Sequence, residues 1–325
     1  MTLAEPTTEG SYRDRVVAVE PGGNEYIAEA DRHGRPSQLL WTWTSPNLEF
    51  ATIFVGMLAV LAFGMTFWQA VAGIIVGTGL GAIAHFLLSA RGPLHGVPQM
   101  VMARLAFGFK GNAVPAVLMS ITAGVGWFAT NSVSGAFALS TLFGFAPLVG
   151  LVIVVAVQTV LAFFGHNLVQ AFERFSFPVL AVIFVAASVA IFMHADLGNA
   201  APAADGVGGL GGFLLTVGTS FGYAAGWNPY AADFTRYLPA SVSPRRTGFF
   251  AATGLFTACV ALEVVGAASV TTGSGSLADP TGSFTAELAS PLAKVTLLAI
   301  TVGAVAANAI NVYSGAMAFV TIGIK

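Results

Sequence analysis

The chain has 325 residues, 56% hydrophobic and 9% charged, with a formal net charge of −2 and a mean hydropathy of +0.80. A soluble domain carries about 25% charged residues, so these values exclude an ordinary soluble domain and describe an integral membrane protein; the charge balance gives no reason to expect nucleic acid as a partner. A single cysteine, Cys259, excludes a disulfide framework within the chain and offers no thiolate metal cluster.

Residues 1–40 are polar and charged, contain the run Pro21, Gly22, Gly23, and lack the apolar core of a signal peptide. They read as a cytoplasmic, largely disordered tail, with a transmembrane domain over 41–325. Crossing about 30 Å of hydrocarbon takes about 20 apolar residues. Runs of that kind occupy 46–65, 67–90, 112–140, 146–165, 174–194, 211–237, 247–271 and 291–317, which predicts eight helices. Gly64 and the stretch from Gly144 to Pro147 mark two tight hairpins.

Basic residues are enriched in cytoplasmic loops. Arg13, Arg15, Arg32 and Arg35 precede the first span; Arg91, Arg104 and Lys110 follow the second; Arg174 follows the fourth; Arg236, Arg245 and Arg246 follow the sixth; and Lys325 follows the eighth. The opposite loops hold Lys294 with His194, Asp196, Asp205, Asp279 and Glu287. The bias places the N-terminus in the cytoplasm of a multi-pass inner-membrane protein. The basic, Gly/Pro-rich loop from Arg91 to Gly111 has two readings, a gate or coupling loop with a short amphipathic helix around Met100 to Phe107, or a solvated loop that enforces topology.

In the third span Trp127 and Asn131 are four apart and share one helical face. An indole that stacks and an amide that donates and accepts form a grip for a flat ring, while helix packing through Gly124, Gly126, Ser134 and Gly135 is the other reading. The sixth span is interrupted by Gly226, Trp227, Asn228 and Pro229; proline removes a donor and disfavours helix at Asn228, so a break is predicted. Backbone freed at membrane depth must face protein or a water-filled cavity. The eighth span gathers Asn308, Asn311, Tyr313 and Ser314 in an apolar stretch, so they face the bundle interior.

Glu49 and Glu263 are the charges at depth, and a charge at a helix centre costs about 2.5–3.5 kcal/mol. Each is partnered or protonated, which makes both proton-carrying candidates; an interfacial position for Glu49 and a structural hydrogen bond for Glu263 are the alternatives. For Asp233 and Arg236, three apart, a local ion pair stands beside a gate contact. Motifs of hydrolases, metalloproteases and phosphate-binding loops are missing, and His33, His85, His95, His166 and His194 lack metal-ligand spacing. His85 and His166 read as interfacial. No enzymatic activity and no resident cofactor or metal are expected.

Four motifs in order, RGPLHGVPQMVMARLAFGFKGN (91–112), GWFATNSVSGAFAL (126–139), FGYAAGWNPYAADFTRYLP (221–239) and ANAINVYSGA (307–316), resemble the purine/cytosine permease branch of the nucleobase:cation symporter-1 family. The resemblance runs from about Trp41 to the C-terminus. It implies an all-α transporter of five-plus-five inverted-repeat (LeuT-like) fold, with helices one and six broken and helices three and eight completing the site. The first repeat would span about 41–195 and a partial second repeat about 211–325. The chain ends at Lys325, so the bundle is expected to be incomplete after about eight helices, as a fragment of a twelve-helix protein or a chain whose remainder lies elsewhere.

Carried over by motif, the resemblance assigns substrate stacking to Trp127, edge recognition to Asn131 and Asn311, a lining role to Tyr223 or Ala224 near Gly222, and first-helix contacts near Thr52, Ile53 and Gly56. Trp227 is not the expected stacking aromatic; Gly226, Pro229, Asp233 and Arg236 are assigned to the hinge and gate. Sodium-coupled relatives use a Ser-Thr pair in helix eight, whereas Val305, Ala306 and Ala307 offer no side-chain oxygen, and a hard cation requires oxygen ligands. Proton coupling is therefore expected, Glu49 leading and Glu263 second. The reading is import of a nucleobase of the cytosine, adenine or hypoxanthine type by proton symport and alternating access; a hydantoin or allantoin importer and a non-transporting binding or sensor protein are the alternatives.

Overall fold

The computed structural model describes residues 12–20, 22–198, 206–273, 275–278 and 280–323. Asp205, Asp279 and Lys325, counted in the charge bias, lie outside the described residues. Among the described residues, six helices are long and apolar enough to cross a membrane: Phe67–His95, Ala113–Phe143, Pro147–Phe164, His166–His194, Pro244–Ser269 and Ser290–Thr321. A seventh span, Pro36–Asn47 with Phe50–Leu61, is bent by 62°. An eighth apolar helix, Gly209–Ala225, is 17 residues long and continues past an interruption.

In chain order the elements that position the site are α1 (Leu39–Thr44), α2 (Phe50–Leu61), α3 (Phe67–Ser89), α4 (Ala113–Ile121), α5 (Phe128–Phe143), α6 (Pro147–Phe164), α7 (His166–His194), α8 (Gly209–Ala225), α9 (Ala231–Thr235), α10 (Pro244–Ser269) and α11 (Ser290–Thr321). The first span starts earlier than predicted and is not continuous. After α1 a 3-10 turn, Ser45–Asn47, leads into Leu48 and an extended Glu49 (φ −144°, ψ 172°) before α2. Glu49 therefore sits buried in a helix break, not at an interface.

Helix α3 opens on a reciprocal cap, in which Thr66 and Gln69 each accept the other's backbone N–H. One face of α3 then carries Gly73, Gly77 and Gly81 every fourth residue, and α8 lies in that groove. A methyl at Gly77 would stand 2.3 Å from the Val217 carbonyl, and one at Gly81 2.7 Å from Ala224 Cβ. Small residues permit this approach, and close approach is what drives helix association in a bilayer. The hairpins predicted at Gly64 and Gly144 form with positive φ of 67° and 75°. The loop expected between the fourth and fifth spans shrinks to Gly165, so Arg174 lies inside α7 with its guanidinium 5.9 Å from the Trp41 ring centre. The segment from Arg91 to Gly111 folds as three short helices, Gly92–His95, Gln99–Met102 and Arg104–Gly111, the last wholly without buried residues.

The N-terminal segment departs from the expectation of disorder over its described part. Glu20 pairs with Arg236 at 2.7 Å, accepts from Tyr313 at 3.1 Å and from the His166 N–H at 3.0 Å, and also accepts from Tyr237. Gly23 O accepts from Arg236 at 2.6 Å, and Asn24 donates to Thr321 and to the Met317 carbonyl at the end of α11. The local Asp233–Arg236 pair is thus replaced by a long-range one, and Asp233 instead accepts from the Gln99 N–H at 2.8 Å. A polar segment without hydrophobic period has no local signal; its order comes from satisfying a guanidinium that is fully buried. Breaking a buried pair leaves an uncompensated charge and costs about 3–5 kcal/mol. Glu20→Gln is expected to destabilise the detergent-solubilised chain by an amount in that range, read by denaturant unfolding; an unchanged midpoint would show that the pair contributes nothing.

Candidate functional site

Where the two interrupted helices meet, a narrow cavity of about 10 Å³ is lined by Glu49, Trp127, Asn131, Tyr223, Gly226, Trp227, Tyr230 and Asn311. Five separate stretches contribute to it. Glu49 comes from the break before α2, and Trp127 from a π-helical turn, Thr122–Trp127, that joins α4 to α5. Such turns insert one residue and re-aim the following side chains, and they recur at functional sites. Asn131 follows one turn along α5, Tyr223 ends α8, and Asn311 projects from the middle of α11. Gly226, Trp227 and Tyr230 belong to the interruption, where Pro229 starts a 3-10 turn, Asn228–Tyr230, ahead of α9.

The walls are aromatic. Trp127 meets Tyr223 edge to face at 5.7 Å between ring centres, and Trp227 meets Tyr230 at 5.2 Å. Trp227 is held from behind: its Nε1 donates to Asn47 Oδ1 at 2.9 Å, in the turn of the first break, and Asn47 Oδ1 also accepts from the Cys259 thiol. The polar edge is equally supported. Tyr223 donates to Glu49 Oε1 at 3.1 Å and lies 2.7 Å from the Thr52 hydroxyl. Tyr230 donates to Asn311 Oδ1 at 2.8 Å. Both asparagines are fixed by one residue, because Asn308 Oδ1 accepts from Asn131 Nδ2 at 3.3 Å and from Asn311 Nδ2 at 3.1 Å. Asn308 in turn donates to Gln158 Oε1, to Ser132 Oγ and to the Phe128 carbonyl. Asn131 Oδ1 stays buried without a partner among the described residues.

Asn308→Ala would leave the amides of Asn131 and Asn311 and the Gln158 oxygen without partners. Each buried unsatisfied group costs about 1–3 kcal/mol. The variant is expected to lose at least about 3 kcal/mol of stability and to bind ligand more weakly, as read by thermal unfolding and equilibrium binding in parallel; wild-type values in both would show that the hub is dispensable.

Of the residues expected at the site, Trp127, Asn131, Tyr223, Asn311 and Glu49 meet at the cavity, and the hinge residue Gly226 lines it as well. Others do not line it. Ala224 is buried against Gly81, and Gly222 has open space around it. Ile53 and Gly56 face α10, where they abut Gly266 and the Glu263 backbone. Thr52 acts one step removed, through Tyr223. Glu263 is buried away from the cavity, with Thr78 and Ser220 facing it. His85, expected at an interface, is fully buried, 3.3 Å from Asn228 Oδ1 and 4.2 Å from the Trp43 ring centre; His166 is likewise buried, stacked on Tyr237 at 4.0 Å. Trp227 and Tyr230 were missed as lining residues. Asn47 was missed as a support, although an asparagine beside a proline at the start of an apolar run is a visible turn signal.

The family described as permease for cytosine/purines, uracil, thiamine, allantoin matches residues 26–323. The Bacillus subtilis (strain 168) protein that carries the name purine-cytosine permease YxlA is 30% identical over 301 residues, 91% of this chain and 64% of that protein. The purine-cytosine permease FCY22 of Saccharomyces cerevisiae is 34% identical over 288 residues, 83% of this chain and 52% of the relative. The chain thus spans about half to two thirds of the length of these relatives. The fold matches Mhp1, a nucleobase-cation-symport-1 family transporter solved closed with bromovinylhydantoin bound, at a TM-score of 0.79 and 20% identity, over 94% of this chain and 70% of that one. An inward-facing structure of Mhp1 matches at 0.70. The chain belongs to the cytosine/purine permease family, as its four motifs predicted.

Proposed function

We propose that this chain carries the substrate site of an importer for a purine or pyrimidine base of the cytosine, adenine or hypoxanthine type. The observation that supports this most is the cavity, in which flat aromatic walls from Trp127 and Trp227 stand beside a carboxyl and a carboxamide. A protonated carboxyl offers one donor and one acceptor side by side, and so does the edge of cytosine or adenine that bears a ring nitrogen and an amino group. Glu49 is placed to read that edge, Asn131 Oδ1 offers a further acceptor, and stacking on the indole walls is indifferent to which base enters.

In this reading the two helix interruptions are the moving parts of alternating access, in which one bundle rocks against the other around a fixed site. The chain lies in the inner membrane with its N-terminus in the cytoplasm, as the basic bias suggests. The two breaks fall in the first and sixth spans, where the five-plus-five inverted repeat places them. Import is driven by protons, with Glu49 as the leading carrier and Glu263 second. Cytosine uptake or binding measured with the full chain, with adenine, hypoxanthine and allantoin as competitors, tests the reading. Adenine and hypoxanthine are expected to displace labelled cytosine, allantoin to fail, and a proton uncoupler to abolish accumulation. Strict sodium dependence without uncoupler sensitivity would overturn the coupling, and preferential displacement by allantoin would overturn the substrate class.

A further inference from the structure

Two buried carboxyls whose oxygens lack partners among the described residues, Glu173 and Glu263, lie outside the cavity lining. Glu173, in the second turn of α7, is fully buried, and neither of its oxygens has a hydrogen-bond partner among the described residues. The polar side chain that faces it is Ser45, itself fully buried and unpartnered, in the 3-10 turn that opens the break of the first span. The break therefore touches functional groups on both sides. Ser45 faces Glu173, Asn47 holds Trp227, and Glu49 enters the cavity beside Tyr223. All three lie within five residues of non-helical chain.

Among the described residues, Glu173 forms no ion pair. Helices α1 and α6, both packed on α7, carry no ionisable side chain. Those of α11 are Lys294, near its start, and Tyr313, bonded to Arg236 and Glu20. Those of α10 are Arg245 and Arg246 at its start, Cys259 against Asn47, and Glu263 against Gly56. On α7 itself Arg174 lies over Trp41, and His166 is stacked on Tyr237. An ionised carboxylate without partner or water carries a penalty of several kcal/mol. The closed arrangement thus accommodates the acid with its proton and not the anion.

A second cavity lies near Glu173 without reaching it. Gln170, one turn before Glu173 on the same face of α7, lines this cavity of about 210 Å³ together with Arg174, His166 and Trp41. This cavity lies at the end of the bundle where the N-terminal segment packs. Loosening of the break at Ser45 would join Glu173 to it.

We infer that Glu173 is a further proton-binding site beside Glu49 and Glu263, occupied when the first-span break is closed on substrate and emptied toward the N-terminal side when it opens. The inference rests on the nucleobase reading above. Closure around substrate and protonation of Glu173 then favour each other, which is a coupling free energy between two sites joined by the break.

The test uses the purified full chain in weak buffer, with cytosine as the probe and a pH indicator reporting protons taken up on binding. By linkage, Glu173→Gln is expected to keep cytosine binding while lowering proton uptake per bound cytosine by about one relative to the wild type. Unchanged uptake in that variant overturns the inference. Should Glu173→Gln not fold, Ser45→Ala retains the carboxyl and removes the hydroxyl facing it. The pH of half-maximal uptake should then shift; a fixed midpoint also overturns it. If the wild-type chain binds no cytosine at any pH, the substrate reading itself fails, a result distinguishable from uptake that persists without Glu173.

Discussion

Trp127→Ala is expected to weaken cytosine binding by about 30-fold while the protein still inserts and folds. The magnitude follows from stacking, since a base on an aromatic side chain contributes about 1–3 kcal/mol when truncated to alanine, and about 2 kcal/mol is a factor of about 30. The expectation of intact folding follows from position. Trp127 is only partly buried, lies against the hydrophobic cluster around Tyr223 and Ile310 with no side-chain hydrogen bond among the described residues, and contacts Tyr223 edge to face. Trp127→Phe keeps a ring at the same place and should restore most of the affinity. Equilibrium binding with size-exclusion chromatography as the folding control decides the matter, and wild-type affinity in the alanine variant would remove Trp127 from the site.

Gly56→Ala is expected to cost more than any substitution lining the cavity, although it lines nothing. A methyl there would stand 1.7 Å from the Glu263 carbonyl oxygen, and one at Gly266 would stand 1.9 Å from the Ile53 carbonyl. The two clashes are reciprocal: α2 and α10 touch backbone to backbone, and neither partner is a flexible side chain that can move aside. Overpacking costs about 1–3 kcal/mol where side chains yield, so more than about 3 kcal/mol is expected here. Thermal unfolding of the purified chain should show it. Gly266→Ala should do the same, and the double variant should cost less than the sum, because helices already forced apart lose little more. Full additivity would mean that the two glycines act at independent contacts.

Most of the bundle was legible because apolar length and glycine or proline punctuation are local signals. The break at Gly226–Pro229 could be read from proline alone, and Trp127, Asn131 and Asn311 from polar or aromatic residues in otherwise apolar spans. What escaped reading depends on the breaks. Of the expected pair Tyr223 or Ala224, Tyr223 lines the cavity; beyond Ala225 the helical phase is lost, and the bend turns Trp227 and Tyr230 into it as well. The first break moved Glu49 from an apparent helix start to the bundle centre. Glu173 was hidden by Arg174 beside it, a pair of charges that reads as loop until α7 is seen to begin at His166. The contacts of residues 20–24 to the bundle carry no signature in sequence, because their partners lie 146 to 297 positions away.

That separation bears on the order of events during synthesis. The N-terminal segment emerges first, yet Arg236 follows Gly23 by 213 positions and Thr321 follows Asn24 by 297. Glu20 and Asn24 gain their full set of partners only after α11 has entered the bilayer, since Tyr313 and Thr321 lie 293 and 297 positions downstream. Closing so long a loop adds only a slowly growing entropic cost, and the contact needs both α11 and the chain after α8 in place. The knot around Arg236 is therefore a late-forming contact, complete only once α11 is in place. A ribosome-stalled chain lacking α11 would leave the segment open to protease, and cleavage near Glu20 should cease once α11 has inserted.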